Sequence, residues 1–293
     1  MRFDFVSLRF GFTALEPVHF PAGKAANVLR GAFGTAFRGL SCRPDCSDSR
    51  NCPDRHACPY ARVFSPEATG QGPSGLADSP RPFVFRARHL DGRIFQAGSG
   101  ELGSLFRFGV NLFAADAATV GAFTDAFRAM GPTGIGPRHG RAELCEVLCE
   151  PVSLDLAPRA AAPDRVTVAF LTPTELKQEH RIVERPEFPV LFGRIRDRVS
   201  TLRRLYGRGP LEMDYAGSSR RAAEVRLIRC ELRRETVERR SSRTGQTHPI
   251  GGFVGELEYE GDLREFLPFL EAGQWVGVGR QAVWGKGEIQ VTV

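Results

Sequence analysis

The chain has 293 residues, 40 lysines and arginines against 34 aspartates and glutamates, and a formal charge of +6. That length suits about two ordinary domains or one large one, and 42% hydrophobic with 25% charged residues excludes a disordered chain. No apolar run approaches the roughly 20 residues of a membrane helix, and the opening MRFDFVSLRF alternates and carries charge, unlike a signal peptide. A cytoplasmic protein with no membrane partner is expected.

In the first half, Phe3, Phe5, Leu8 and Phe10 predict an opening strand. Val28, Leu29, Ala32, Phe33, Ala36 and Phe37 share one side of a helix expected from about Gly23 to Phe37. A cysteine-bearing insertion follows, at about 41–60. Strands are then expected at Pro82–Phe85 and Leu105–Phe113, and a helix at Ala117–Met130, with Val120, Phe123, Phe127 and Met130 at helical spacing. A glycine loop, Gly131 to Gly140, leads to a strand ending near Glu150. The small, proline-flanked stretch Ala157–Pro163 reads as a linker.

The second half repeats the order. Val166, Val168 and Phe170 alternate as a strand. Leu191, Ile195, Val199, Leu202 and Tyr206 form the apolar stripe of a helix over Val190–Tyr206, with Arg194, Arg198, Arg203 and Arg204 off it. Val225–Val237 and Phe253–Tyr259 read as a strand pair joined by a polar tip, Ser241 to His248. Asp262-Leu263-Arg264-Glu265 has the pattern of a capping box and predicts a helix start there. A second glycine loop, Gly277 to Gly287, precedes a last strand, Glu288–Val293. The chain thus reads βαββαβ twice. This predicts an α+β fold of tandem ferredoxin-like (RRM-like) domains, at residues 1–150 and 164–293, with the cysteine-rich insertion in the first. Cys145, Cys149 and Cys230 fall in strand-like runs and are expected in the core.

The charge is uneven. Only Lys24, Lys177 and Lys286 are lysines, and the other 37 basic residues are arginines. A GC-rich genome is one cause of such a bias. Recognition of phosphates and bases, which the planar guanidinium fork suits, is the other. Between Arg194 and Arg243 there are 15 arginines against 7 acids, so this block alone carries +8. A polyanion-facing side is one reading, and a solvated helix face with an exposed hairpin the other.

The loop Gly277-Val278-Gly279-Arg280-Gln281-Ala282-Val283-Trp284-Gly285-Lys286-Gly287 is the sharpest motif. Its glycines let backbone N–H groups approach a phosphate. Arg280 and Lys286 add charge, and Trp284 offers a stacking face for a base. It lacks the G-K-[ST] ending of a P-loop and precedes a strand instead of a helix, so a mononucleotide or dinucleotide site is not expected. This loop resembles the signature loop of the RAMP proteins, the repeat-associated proteins of CRISPR systems. Within them the chain is most similar to the repeat-RNA processing endoribonucleases, the sixth Cas family. Leu29–Gly34, Met130–Gly136, and Gly251–Gly255 with Tyr259, Gly261-Asp262-Leu263 and Phe266 carry the same resemblance.

The resemblance implies two RRM-like domains, metal-independent cleavage of CRISPR repeat RNA, and delivery of the product to an interference complex of Cas proteins. RNA carries its own nucleophile, the 2′-OH, beside the scissile phosphate. The protein then supplies alignment, proton transfer and positive charge. The expected products are a 2′,3′-cyclic phosphate and a 5′-OH. The resemblance assigns no particular catalytic residue, so local setting decides. His248, at a polar tip beside arginines, and His19, before the first predicted helix where an anion is welcome, are the leading proton-transfer candidates, with Lys286 at the phosphate. Tyr206 and Tyr215 are further candidate acids, with a core or stacking role the leading reading for each. Gly277, Gly279, Arg280, Trp284, Gly285 and Gly287, together with Arg138, His139, Arg203, Arg204, Arg239, Arg240 and Arg243, are expected to bind RNA. His89 and His180 read as surface residues.

Cys42, Cys46, Cys52 and Cys58 lie within 17 positions of a hydrophilic stretch. A cytosolic protein seldom makes structural disulfides. Four thiolates around a structural zinc ion are the leading reading, with His56 as a substitute ligand. An iron–sulfur cluster, or cysteines that are unliganded or disulfide-linked, are the alternatives. Two other functions fit the same sequence. One is a RAMP protein that binds repeat or guide RNA without cutting it. The other is a zinc-stabilised protein-interaction module.

Overall fold

The structure, a computed structural model, describes residues 1–43, 45–46, 52–66, 79–98, 104–179, 181–236, 238–240, 247–249 and 251–293, with 238–240 and 247–249 by their backbone alone. Strands of the first half are β1 (Arg2–Ala14), β2 (Val18–His19), β3 (Phe83–Arg86), β4 (Ile94–Phe95), β5 (Leu105–Leu112) and β6 (Ala142–Asp155). Its helices are α1 (Ala25–Ser41), α2 (Pro59–Phe64) and α3 (Ala117–Thr133). The second half has β7 (Arg165–Thr174), β8 (Leu176–Gln178), β9 (Arg181–Val183), β10 (Arg226–Glu235), β11 (Glu238–Arg240), β12 (Thr247–Pro249), β13 (Gly252–Glu260) and β14 (Ile289–Thr292). Its helices are α4 (Phe188–Tyr206), α5 (Tyr215–Ala222) and α6 (Leu267–Val276). Of the described residues, 5–66 and 79–152 form one compact unit, and 1–4 and 153–293 the other.

Both main sheets have four strands. Their orders are β3-β5-β1-β6 and β10-β13-β7-β14. In each, the second, third, first and fourth long strands lie side by side, which is the ferredoxin-like order the sequence predicts. Burial dictates the pairing. Along β1, Phe3 and Phe5 and then Leu8, Phe10 and Phe12 are buried, and Phe10 stands opposite Phe108 of β5. In α1 the buried stripe is Leu29, Phe33, Ala36 and Phe37. It packs against α3, whose Phe123 and Phe127 lie 4.9 and 4.4 Å from Phe33 between ring centroids. Two carboxylates hold the helix starts. Asp116 accepts the Thr119 N–H at 2.9 Å, and Asp91, far along the chain, accepts the Ala25 N–H at 2.8 Å.

In the second unit, Leu191, Ile195, Val199 and Leu202 of α4 are buried and α4 packs on α6. Phe188 packs edge-on against both Tyr259 and Phe266, Phe266 packs on Phe192, and the Tyr259 hydroxyl donates to the Pro186 carbonyl at 2.9 Å. Burial pushes the Tyr259 phenol well above its ordinary range.

Several expectations need correction. Helix α6 begins at Leu267, not at Asp262. The Asp262 carboxylate turns back to the Arg264 N–H at 3.2 Å and its guanidinium, while Glu265 is drawn 2.6 Å to Arg221, so no capping box forms. Cys145, Cys149 and Cys230 are exposed, not in the core. They sit on β6 and β10, which lie at the edges of their sheets. Arg198, expected off the apolar stripe, is buried and donates to the Val276 carbonyl at 2.8 Å.

Replacing Phe33 by alanine removes a ring packed against those of α3 and leaves a cavity. Chemical denaturation is expected to show a loss of about 3–5 kcal/mol. Leu40→Ala, on the exposed side of the same helix, is expected to stay within about 0.5 kcal/mol.

Candidate functional site

Each unit carries a glycine turn between its second long helix and its last strand. In the second unit α6 ends at Val276, and Gly277, Gly279, Gly285 and Gly287 all adopt positive φ, between 68° and 77°. Only glycine does this without strain. Two of them also permit close backbone approach. A Cβ on Gly287 would stand 1.8 Å from the Val278 oxygen, and one on Gly279 would stand 2.4 Å from the Glu175 oxygen. The loop therefore folds on itself and onto the turn between β7 and β8.

This changes the expected phosphate cradle. The N–H groups of Gly277, Val278, Arg280, Trp284, Gly285 and Gly287 already donate to the carbonyls of Gly273, Gly287, Glu175, Gln281, Ala282 and Pro173. The glycines fix the shape of the loop, and those six amides do not point outward to an anion. Lys286, expected at the phosphate, is only 3% exposed and belongs to the interior of the loop. Arg280 is on the surface, where its guanidinium pairs with the Glu175 carboxylate at 2.5 Å. Trp284 is half-buried in a short 3-10 turn. Glu175 thus grips Arg280 through both carbonyl and carboxylate. No local signal marked it, because the two residues are 105 positions apart.

In the first unit the turn after α3 uses Gly134 and Gly136 at φ 95° and 81°, with His139 at 51°. Ile135 and Gly140 exchange backbone hydrogen bonds at 2.9 and 3.1 Å. The turn lies on the segment from Leu15 to His19. Cβ atoms on Gly136 and Gly140 would stand 2.7 Å from the His19 oxygen and 2.2 Å from the Pro17 oxygen. Arg141 adds an ion pair to Glu16 at 2.7 Å, and its hydrogen bonds lower the Glu16 carboxyl below the usual carboxylate range. The structure thereby brings His19, half-buried on β2, into one neighbourhood with the exposed Arg138 and His139. The start of α1, expected to welcome an anion, already holds the carboxylate of Asp91.

The arginine block is less bare than its count suggests. Arg196, Arg208, Arg221, Arg226, Arg229, Arg233 and Arg234 each face an acid. Strand β13 supplies three of these, Glu256, Glu258 and Glu260, from outside the block. Arg203 is not a free backbone contact for RNA. It donates to the Arg2, Gly209 and Pro210 carbonyls, fastening the end of α4. Arg204 is half-buried. Tyr215, named as a possible acid, is 2.7 Å from the Ser200 hydroxyl in a structural network. His89 lies 2.8 Å from the Arg107 carbonyl. His248 sits on β12, opposite Arg239 of β11, and Arg240 is opposite Thr247. The side chains of these residues, and all of His180 and Arg243, lie outside the described residues.

No helix among the described residues is long and apolar enough to cross a membrane.

Comparison with known proteins agrees with this geometry. Residues 3–157 match the family model AF_1859_N, described as an N-terminal domain. Residues 168–289 match the model of the CRISPR-associated endoribonuclease Cas6. No curated protein matches the chain in sequence. Among solved structures, a Cas6 (TTHB231) product complex superposes with a TM-score of 0.59 at 17% identity, covering 99% of both chains. The structure titled Thermus thermophilus Cas6 (TTHB231) gives 0.55 at 15%, covering 100% of this chain and 99% of that one. A Cas6 (TTHA0078) product complex gives 0.55 at 16%, covering 98% and 100%. At these identities the likeness is one of fold.

Gly287→Ala is expected to lower stability by about 3 kcal/mol, since it combines a positive φ with a backbone clash. Arg280→Ala is expected to cost less than about 1 kcal/mol, because its ion pair is exposed. Denaturant titration of both variants distinguishes the two roles.

The second unit carries the match to the CRISPR-associated endoribonuclease Cas6 model, over residues 168–289, both units take the ferredoxin-like form that closes on a glycine turn, and the chain as a whole shares its fold with the Cas6 structures.

Proposed function

We propose that this endoribonuclease cuts CRISPR repeat RNA by in-line attack of the 2′-OH on the adjacent phosphate, leaving a 2′,3′-cyclic phosphate and a 5′-OH. The observation that carries this reading is the family match over 168–289, a domain that ends in the glycine loop and last strand. The attacking group belongs to the substrate. Holding it in line supplies a large proximity effect, and no metal-bound water is required as nucleophile. The protein then has to accept the 2′-OH proton, return one to the departing 5′-oxygen and stabilise the phosphorane.

His19 and His248 are the proton-transfer residues in this reading, since imidazole titrates near neutral pH. The placement of His19 beside Arg138 and His139 supports it, because that turn can supply positive charge next to a base. Arg280 is the exposed cation of the second loop, and Lys286 acts by holding that loop from within. Repeat RNA is the proposed partner, in keeping with the match to the endoribonuclease model and the likeness in fold to Cas6 product complexes. Association with other Cas proteins is proposed on the likeness to a partial Cas6-RT-Cas1–Cas2 complex, with a TM-score of 0.54. No cofactor enters the chemistry, and the cysteine cluster is a separate matter.

The test uses the repeat RNA of the source genome. Cleavage is expected in EDTA as in magnesium, and a single 2′-deoxy at the cut is expected to abolish it. Dependence on a divalent ion, or cleavage of the deoxy substrate, refutes the mechanism. Binding without any cleavage favours the RNA-binding alternative. Under single-turnover conditions, alanine at the responsible histidine is expected to slow cleavage by about 10²–10⁴-fold. If both His19→Ala and His248→Ala stay within about threefold of the wild type, the assignment of the histidines fails.

A further inference from the structure

Helix α1 ends at Ser41 and α2 begins at Pro59. Between Cys42 and Cys58 the chain is almost wholly polar: apart from Cys46, Cys52 and two prolines, Ala57 is its one apolar residue. Such a segment has little surface to bury, so hydrophobic packing cannot hold it. Its described parts are nonetheless built into tight turns that end on cysteines. The Cys42 N–H donates to the Arg38 carbonyl at 2.9 Å, that of Cys46 to Arg43 at 3.0 Å, and that of Cys58 to Asp54 at 2.9 Å, while the Cys52 carbonyl accepts from Arg55 at 3.1 Å. Cys42 closes α1, and Cys58 opens α2.

These turns converge the sulfurs. Cys42 is within side-chain hydrogen-bonding reach of both Cys46 and Cys58, and Cys46 is within reach of Cys52. All four are free thiols. Neutral thiols are weak hydrogen-bonding groups and give little reason to gather. Assembling such sulfurs as thiolates is unfavourable unless a cation joins them.

We propose that Cys42, Cys46, Cys52 and Cys58 bind one zinc ion as four thiolates, and that this ion is structural, clamping the end of α1 to the start of α2. Among the described residues no group of three or more side chains is already placed to hold a metal ion, so the four sulfurs must draw together as the ion binds and displaces the thiol protons. A donor set of four cysteines fits a structural zinc site. With Zn–S bonds of about 2.3 Å, a tetrahedron places neighbouring sulfurs about 3.8 Å apart, a spacing compatible with hydrogen-bonding reach. A four-iron cluster binds each thiolate to a different iron and spreads them farther. Four thiolates and Zn²⁺ leave a charge of −2. Arg38, whose guanidinium donates to the Cys46 carbonyl at 2.6 Å, places a positive charge beside the cluster and offsets part of it.

The inference stands apart from the cleavage reading, and its test needs no RNA. Elemental analysis of the purified full chain after gel filtration is expected to give one zinc per chain. A thiol-reactive mercurial is expected to release that zinc as four thiols are titrated, read with a colorimetric chelator. Cys42→Ser and Cys58→Ser are expected to lose the metal and lower the melting temperature by about 5 °C or more. Cys145→Ser, Cys149→Ser and Cys230→Ser are expected to keep both. Should the first two fail to fold, the stoichiometry of the wild-type chain decides. Less than about a tenth of an equivalent of zinc, both as purified and after anaerobic reduction with added zinc, overturns the proposal. So does iron in equal amount with acid-labile sulfide.

Discussion

The close approach of backbone to backbone at the two glycine turns is the constraint on which the arrangement rests. Each turn carries the chain from the second long helix of its unit to the strand that completes the sheet. The carbonyls of Val278 and Glu175 in one unit, and of Pro17 and His19 in the other, occupy the space where a Cβ would be. Because nothing larger than hydrogen fits, the turns cannot drift. In the first unit the segment around His19 is thereby pinned beside Arg138 and His139. In the second, Arg280 is held at the rim by Glu175.

That constraint also changes what the glycine loop does. Its amides are largely committed to carbonyls of the same unit, so its contribution to binding an anion comes from the shape it imposes and the side chains it presents. Burial of Lys286 follows the same logic. The long stem of a lysine can fill an interior while its ammonium finds a partner, and a cation inside a folded loop serves the loop first.

Charge behaves in a similar way. Arg226 and Arg229 of β10 lie across from Glu260 and Glu258 of β13, and these cross-strand pairs offset part of the local excess. Exposed pairs of this kind add little stability. They matter more for where field remains: what is left for a polyanion is concentrated on arginines without a cross-strand acid, not spread over the block. A count along the sequence cannot separate these classes, because the compensating acids arrive from another strand.

Periodicity in the sequence sufficed to show the long elements and their order. The stripes of α1, α3 and α4 and the doubled βαββαβ plan are all legible, because a helix or strand of many residues must repeat its burial. So were the glycines of the turns, whose backbone demands are local, and the resemblance they carry. The short pieces α2, α5, β2, β4, β8, β9, β11 and β12 were not, since most of them are too short to show a period. Neither was the fate of single polar side chains. Lys286 inward, Arg203 tied to carbonyls, Asp91 capping α1, and Cys145 and Cys149 exposed on an edge strand all depend on partners or positions remote in sequence. Sequence alone thus determined the plan of the fold and the resemblance. Tertiary structure decided which charges and thiols face solvent and which are already engaged, because only packing brings distant residues within the few ångströms at which hydrogen bonds and ion pairs act.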